Sequence, residues 1–287
     1  MKKRYYLCKT DGQGDIFDYV DAIDILGRLK MKKKWITNVI LVLLVLVFIG
    51  SGLYLFRYFW EARQTENELG ELQQSKLESA KEGGEEIQTS DGRAILKDYR
   101  KLYKKNSDLI GWVTVKDTKI DYPVMQTKKD SEYYLHRNFK KKKDVNGLPF
   151  LDANCDVEEN NSNLMVYGHH MKSGLMFAHL EDYEDAAFYK KHKTIEFDTL
   201  YEKRKYEVVA VFRSKIYKEE EDVFKYYRYG GALSEKQFTD YVENCIKLSV
   251  HQTGIKPVYG EQLLTLVTCA YHTDEGRFVV VARRKQA

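Results

Sequence analysis

The spacing of apolar and polar positions changes character several times along the chain. From Ile36 to Phe56 the residues are apolar or small apart from Thr37, Asn38, Ser51 and Tyr54, and none is charged. A helix needs ~20 such residues to cross the hydrocarbon core of a bilayer, where backbone groups must be satisfied within the helix. The run therefore predicts a transmembrane helix, with Trp35 and Trp60 at its interfaces. From Glu61 to Ser90 the chain is rich in Glu, Gln, Ser and Lys, is broken at Gly83-Gly84, and lacks the apolar density of a core. It is read as a solvated stalk, although Leu69, Leu72 and Leu77 fall near one helical face. Between Asp91 and Lys105, Ile95, Leu96, Tyr99, Leu102 and Tyr103 recur at helical spacing, with Ser90 or Asp91 able to cap the start.

Beyond Asn106 the period shortens to that of strands. Turn residues separate Gly111–Val115, Ile120–Gln126, Leu148–Leu151, Leu164–Tyr167, Thr194–Phe197, Tyr206–Ser214, Leu263–Cys269 and Phe278–Ala282. This spacing predicts a mainly β domain, a barrel or a sandwich. Two helical stretches interrupt it, Met176–His192 and Ser234–Leu248, the second with Phe238, Tyr241, Val242, Cys245 and Ile246 on one stripe.

Charge orients this plan. Arg28, Lys30, Lys32, Lys33 and Lys34 precede the apolar run, against Arg57 and Arg63 close behind it, so the positive-inside bias keeps the N-terminus cytoplasmic. The expected organisation is a cytoplasmic segment 1–34, an uncleaved single-pass anchor 35–60, a stalk 61–90 and an extracellular domain 91–287. No A-x-A cleavage site follows the apolar run. With 47 basic against 43 acidic residues and a formal charge of +4, the composition does not favour nucleic-acid binding. The Lys140–Lys143 run reads as solvated surface. The 4 cysteines, Cys8, Cys155, Cys245 and Cys269, form no CxxC pair, against a zinc ribbon or a thioredoxin motif. Whether Cys155 and Cys245 pair is left open by the sequence.

Leu263–Cys269 and Arg277–Ala282 read as two strands joined by the polar loop Ala270–Gly276. If that loop closes an antiparallel pair, residues 269 and 277 stand opposite each other. A thiol beside a cation forms its nucleophilic thiolate at lower cost. The plainer reading makes Cys269 a buried small hydrophobe and Arg277 a solvated strand end. A nucleophilic thiol also needs a proton partner. Among the 7 histidines, the pair in Tyr167-Gly168-His169-His170-Met171 follows a short apolar strand and a glycine, where a side chain can project from a strand end. Adjacent residues of a strand point to opposite faces and no third ligand accompanies them, so a metal site is not read here.

These residues resemble the sortase family. Thr265-Leu266-Val267-Thr268-Cys269 matches the pattern that ends the family's cysteine strand, Arg277 opens the next strand as the family's arginine does, and Tyr167-Gly168-His169 matches the segment with its histidine. Asn106-Ser-Asp-Leu-Ile-Gly-Trp112, Ile120-Asp-Tyr-Pro-Val-Met-Gln126 and Tyr133-Tyr-Leu135 look like class B sortases in particular, so the resemblance spans roughly Asp91 to Arg284. It implies an eight-stranded sortase barrel with N-terminal helices packed on it, and a class B insertion, Phe212–Gln262, before the cysteine strand. It also implies a cell-surface cysteine transpeptidase without cofactor or metal. Such an enzyme cuts a C-terminal sorting signal, here of an Asn-Pro-x-Thr-like type, after Thr through a thioester. It then transfers the secreted protein to a peptidoglycan precursor amine. Cys269 is expected as nucleophile, His169 as proton-handling partner and Arg277 as oxyanion stabiliser, with Thr268, Leu266, Tyr167 and His170 at the substrate. Some class B members carry an acidic residue shortly after the cysteine. Ala270, Tyr271 and His272 stand there instead, with Asp274 further on, so no acidic orienter of His169 is assigned. Two other readings stay open: a cell-wall cysteine hydrolase in which water resolves the thioester, and a non-catalytic surface binding module.

Overall fold

The computed structural model describes residues 15–81, 86–89, 91–157 and 162–285, with side chains from Lys34 onward. Cys8 and Ser90, and the basic side chains from Arg28 to Lys33, lie outside what is described. All 8 expected strands are present: β1 (Leu109–Thr114), β2 (Asp121–Met125), β3 (Phe150–Leu151), β4 (Asn163–Gly168), β5 (Thr194–Thr199), β6 (Lys205–Lys215), β7 (Leu263–Cys269) and β8 (Gly276–Arg284). They form a closed barrel in the order β1-β2-β3-β4-β7-β8-β6-β5, with β4 and β7 parallel and β7 and β8 antiparallel. Closure removes the exposed sheet edge that would otherwise recruit another strand. Strand β7 lies between two neighbours, and every residue from Leu263 to Thr268 is buried.

The helix α1 runs from Asp15 to Lys81. The chain divides into two compact units at residues 58 and 59. In the first, the apolar side chains are open to the surroundings; Leu44 is 61% and Phe48 79% exposed. It holds the one helical stretch, among the described residues, long and apolar enough to cross a membrane.

In the second unit the sequence expectation of a solvated stalk is corrected. The C-terminal turns of α1 bury Ala62, Thr65, Leu69, Leu72, Ser75 and Ser79. These recur every three or four residues and form one helical face. Its small and hydroxylated members kept the stripe from standing out in the sequence. Thr65 Oγ1 donates to Asp144 Oδ2 at 2.9 Å, Asn138 Nδ2 to Glu68 Oε2 at 2.9 Å, and Gln73 Nε2 to the Asp121 carbonyl at 2.9 Å. The Lys76 ammonium sits 4.6 Å from the Trp112 ring centre, where burial lowers its pKa. Lys140 and Lys141 pair with Glu68 and Asp108, in keeping with a surface role for the lysine run.

A fragment beginning at Asp91 is therefore expected to be less stable than one beginning at Glu61. Losing the burial of Leu69 and Leu72 alone removes roughly 3–6 kcal/mol, which corresponds to a melting temperature lower by about 10 °C for a domain of this size. Thermal melts of the two fragments check this; equal midpoints would show that the helix contributes nothing.

Helix α2 spans Lys97–Lys105, shorter than the expected start at Asp91, and its N-cap is Leu96. Residues before it turn instead: Asp91 takes hydrogen bonds from Arg93, Gly92 adopts φ +83°, and Gln88 bridges to Ala94. The stretch expected as one helix from Met176 is split. A 3-10 helix, Phe177–Glu184, ends before Asp185, which caps α3 (Ala186–Lys191) by accepting from the Ala187 and Phe188 amides. The insertion helix α4, Glu235–Leu248, keeps the expected stripe except Ile246, which is 37% exposed, and Ser234 and Gln237 form a reciprocal capping box. Buried Tyr241 shares a hydrogen bond with Thr265 on β7, 2.7 Å, and Thr265 donates to Asn163 on β4, 2.8 Å, pinning α4 to the two strands that lead to the candidate site. Cys155 and Cys245 are both buried and free, so they do not pair.

Candidate active site

The ends of β4 and β7 and the start of β8 converge. Cys269 is the last residue of β7 and pairs in register with Arg277, as the hairpin argument requires. The loop between them is tight. A Cβ at Gly276 would stand 2.1 Å from the Ala270 carbonyl oxygen, which excludes any side chain there. Glu275 adopts φ +54°, a left-handed conformation that non-glycine residues seldom hold. Arg277 is largely buried; Nη1 donates to the Gly276 carbonyl at 2.9 Å and Nη2 to Glu275 Oε2 at 3.2 Å.

On the neighbouring strand Gly168 pairs with Thr268, so His169 begins one step beyond the ladder that delivers Cys269. A Cβ at Gly168 would meet the Phe177 ring at 2.7 Å, and the Phe177 amide donates to the His169 carbonyl at 2.8 Å. The chain therefore turns under Phe177. His169 Nε2 lies 2.7 Å from the Leu135 carbonyl and its ring stacks on His136 at 5.3 Å. A carbonyl only accepts, so Nε2 carries the proton, and in the neutral ring Nδ1 keeps the free lone pair. Burial is the main cause lowering the His169 pKa, opposed by the Leu135 carbonyl and reinforced by His136. The ring is thus biased toward the neutral form able to accept a proton. No hydrogen bond joins it to Cys269 among the described residues.

His170 turns the other way. Its Nδ1 is 3.1 Å from the Cys269 carbonyl and 3.7 Å from Glu181 Oε1, and Tyr271 Oη donates to its own carbonyl at 3.0 Å. The residues expected at the substrate thus occupy different positions. Leu266 is wholly within the core and Thr268 is only 1% exposed, so neither offers surface to a peptide. Burial on both faces of a central barrel strand is the reason. Tyr167 is half-buried and donates its hydroxyl to Met165 Sδ, 3.6 Å.

One residue at the site was not singled out from sequence. Tyr226 is fully buried, its hydroxyl has no hydrogen-bond partner among the described residues, and burial raises its pKa while Arg277 opposes and Cys269 adds to the shift. It sits in the aromatic stretch Phe224–Tyr229, where a core role hides any other signal. The Thr268 hydroxyl is likewise buried and without a partner among the described residues.

A thiol thus ends a buried barrel strand with an arginine as its register partner, and a histidine pair follows the neighbouring strand. Residues 113–285 match the Sortase domain family model. The chain belongs to the sortase family. Within it the chain is a class B-type cysteine transpeptidase of the cell wall. It is 35% identical to Sortase B of Listeria monocytogenes over 183 residues, 63% of this chain and 71% of that protein. It is 28% identical to Sortase B of Staphylococcus aureus over 255 residues, 88% of this chain and 98% of that one. The structure of B. anthracis sortase B in complex with AAEK1 superposes with TM-score 0.66 at 30% identity, covering 80% of this chain and all 100% of that one. A Staphylococcus aureus sortase B-substrate complex gives TM-score 0.66 at 27% identity over 79% of this chain and 99% of its own.

Proposed function

We propose that the domain cleaves an Asn-Pro-x-Thr-like sorting signal after Thr and transfers the secreted protein to a peptidoglycan precursor amine, using Cys269, His169 and Arg277. The observation that carries this reading is the register pair Cys269↔Arg277 at the open end of the barrel, beside the strand end from which His169 departs.

In this mechanism the Cys269 thiolate attacks the Thr carbonyl carbon, and Arg277 donates to the oxygen as it gains charge. Arg277 must turn from the Gly276 carbonyl and Glu275 to do so. His169, which holds the proton given up by the Cys269 thiol, passes it to the leaving amine as the C–N bond breaks, and a thioester remains. Neutral His169 next takes a proton from the incoming amine as that nitrogen attacks the thioester, and the Cys269 thiolate is released. One residue thus serves as acid and then as base.

Incubating the full chain in detergent with a library of C-terminal sorting-signal peptides, with and without an added amine, tests this. Cleavage after Thr with an amide product when amine is present is the expected result. Cleavage to the free acid alone, unchanged by amine, would favour a hydrolase, and no cleavage of any Asn-Pro-x-Thr variant would refute the assigned specificity.

The same reading places the anchor 35–60 in the cell membrane with the N-terminus cytoplasmic and the catalytic domain outside. The apolar exposure of the first unit and the lysines ahead of it support this. Protease added to intact protoplasts is expected to release the domain. Protection from protease, or a domain found in the medium with a new N-terminus near Gly52, would reverse this topology.

A further inference from the structure

We propose that His170 is a positioning residue that clamps the Cys269–Ala270 peptide and so fixes the direction of the nucleophile. This rests on Cys269 being the nucleophile, as proposed above.

The physical need arises from the end of the sheet. In the parallel ladder of β4 with β7 the last paired residues are Gly168 and Thr268, so the Cys269 carbonyl lies one step past the last backbone partner that β4 offers. A carbonyl at a strand terminus is otherwise left to water or to local rearrangement. Here the His170 Nδ1 stands 3.1 Å from that oxygen. The carbonyl can only accept, so Nδ1 carries the hydrogen and donates. The other side of the same peptide unit is also held: the Ala270 amide donates to the Gly276 carbonyl at 2.9 Å. Both polar groups of one peptide plane are therefore engaged, one by a side chain just beyond β4 and one by the hairpin. The Cα of Cys269 is at one corner of that plane, so rotation of the plane would swing the thiol.

The clamp is itself supported. Glu181 Oε1 is 3.7 Å from His170 Nδ1 and is held in turn by Arg213 Nη1 at 3.3 Å, while Arg213 Nη2 binds Glu184 at 2.7 Å. Arg213 pairs in register with Phe278, the neighbour of Arg277 on β8. On the other flank the Tyr271 ring packs 5.2 Å from the His170 ring, and its hydroxyl bonds the His170 carbonyl. The tyrosine two residues after the cysteine therefore ties the loop to the same histidine. A further consequence is that the Ala270 N–H, already bound to Gly276, is not available to an oxyanion, which leaves that work to Arg277.

The test compares His170→Ala, His170→Phe and His170→Asn in the full chain, with a peptide that the wild type cuts. An asparagine amide places a donor close to where the imidazole Nδ1 stands, while phenylalanine keeps the ring contact with Tyr271 and loses the donor. For Ala and Phe the expected result is a fall in kcat of about tenfold, the scale of one lost hydrogen bond, with KM and melting temperature near wild type. Amide hydrogen exchange at Ala270 is expected to quicken in both, and His170→Asn to recover most of kcat and of the protection. Asn as poor as Ala, Phe as active as wild type, or a kcat loss that merely follows a lower melting temperature would each overturn the clamp. If instead the wild type cuts no peptide, or Cys269→Ala still turns over, the nucleophile assignment fails, and that failure is separate because the exchange measurement needs no substrate.

Discussion

Replacing Cys269 with alanine is expected to abolish thioester formation outright, with no residual acyl-enzyme detectable by intact mass after mixing with a sorting-signal peptide. The reason is that neither other described thiol can substitute. Cys155 is buried, with its Sγ donating to the Asn163 carbonyl at 3.2 Å, and its pKa is pushed up to about 12 by desolvation. Cys245 is buried on α4 and its thiol is likewise pushed up by desolvation. Among the described cysteines, only Cys269 combines partial exposure with a cationic register partner. The variant should fold normally, since the lost sulfur fills no core space and its backbone bonds stay in place. An acyl adduct persisting on Cys269→Ala, at any other residue, would show that the nucleophile lies elsewhere.

Arg277→Lys should be nearly as damaging for a different reason. Lysine keeps the charge but loses the planar fork that holds two oxygens at once. The loss of an oxyanion donor typically costs ~2.7–4 kcal/mol of transition-state stabilisation, so a fall in kcat of about 10²–10³-fold is expected. Folding should change little, because among the described residues the guanidinium's hydrogen bonds go to the Gly276 carbonyl and the exposed Glu275 carboxylate. Arg283 and Arg284 are the internal controls. They pair with Glu207, Glu261 and Glu202 at the other end of β8, ~20 Å away at the usual strand rise. Their alanine variants should keep most activity. Steady-state kinetics on the three variants decide the matter; an Arg277→Lys enzyme close to wild type would remove the arginine from the oxyanion role.

The strands and the thiol–guanidinium pair were legible because both depend on local rules. Alternation of apolar residues marks each strand, and a short polar loop ending in glycine forces residues 269 and 277 opposite one another whatever surrounds them. The α4 helix was equally plain, since its stripe of Phe238, Tyr241, Val242 and Cys245 lies within fifteen or so residues, roughly the length over which helical periodicity acts. The helix long and apolar enough to cross a membrane needed only length and the absence of charge.

Other features depend on contacts between distant parts of the chain. The last turns of α1 looked like a spacer because a stripe of Ala62, Thr65, Leu69 and Leu72 is too weakly apolar to declare itself; only the matching surface around Asp121, Asn138 and Asp144 makes it a packed face. The start of α2 was misplaced because the bonds from Arg93 to Asp91 compete with helix initiation, a local choice that propensity leaves open. Periodicity and composition do not separate His169 from His170; in the sequence only the family resemblance does. Adjacent residues share composition and neighbourhood, yet the end of β4 sends one ring to Leu135 and the other to the Cys269 carbonyl. Sequence alone thus determined the long apolar helix, the strands and the facing of Cys269 and Arg277, because these follow from periodicity and hairpin register. Only the tertiary structure decided what each histidine touches and which face of α1 is buried, because those contacts join residues tens of positions apart.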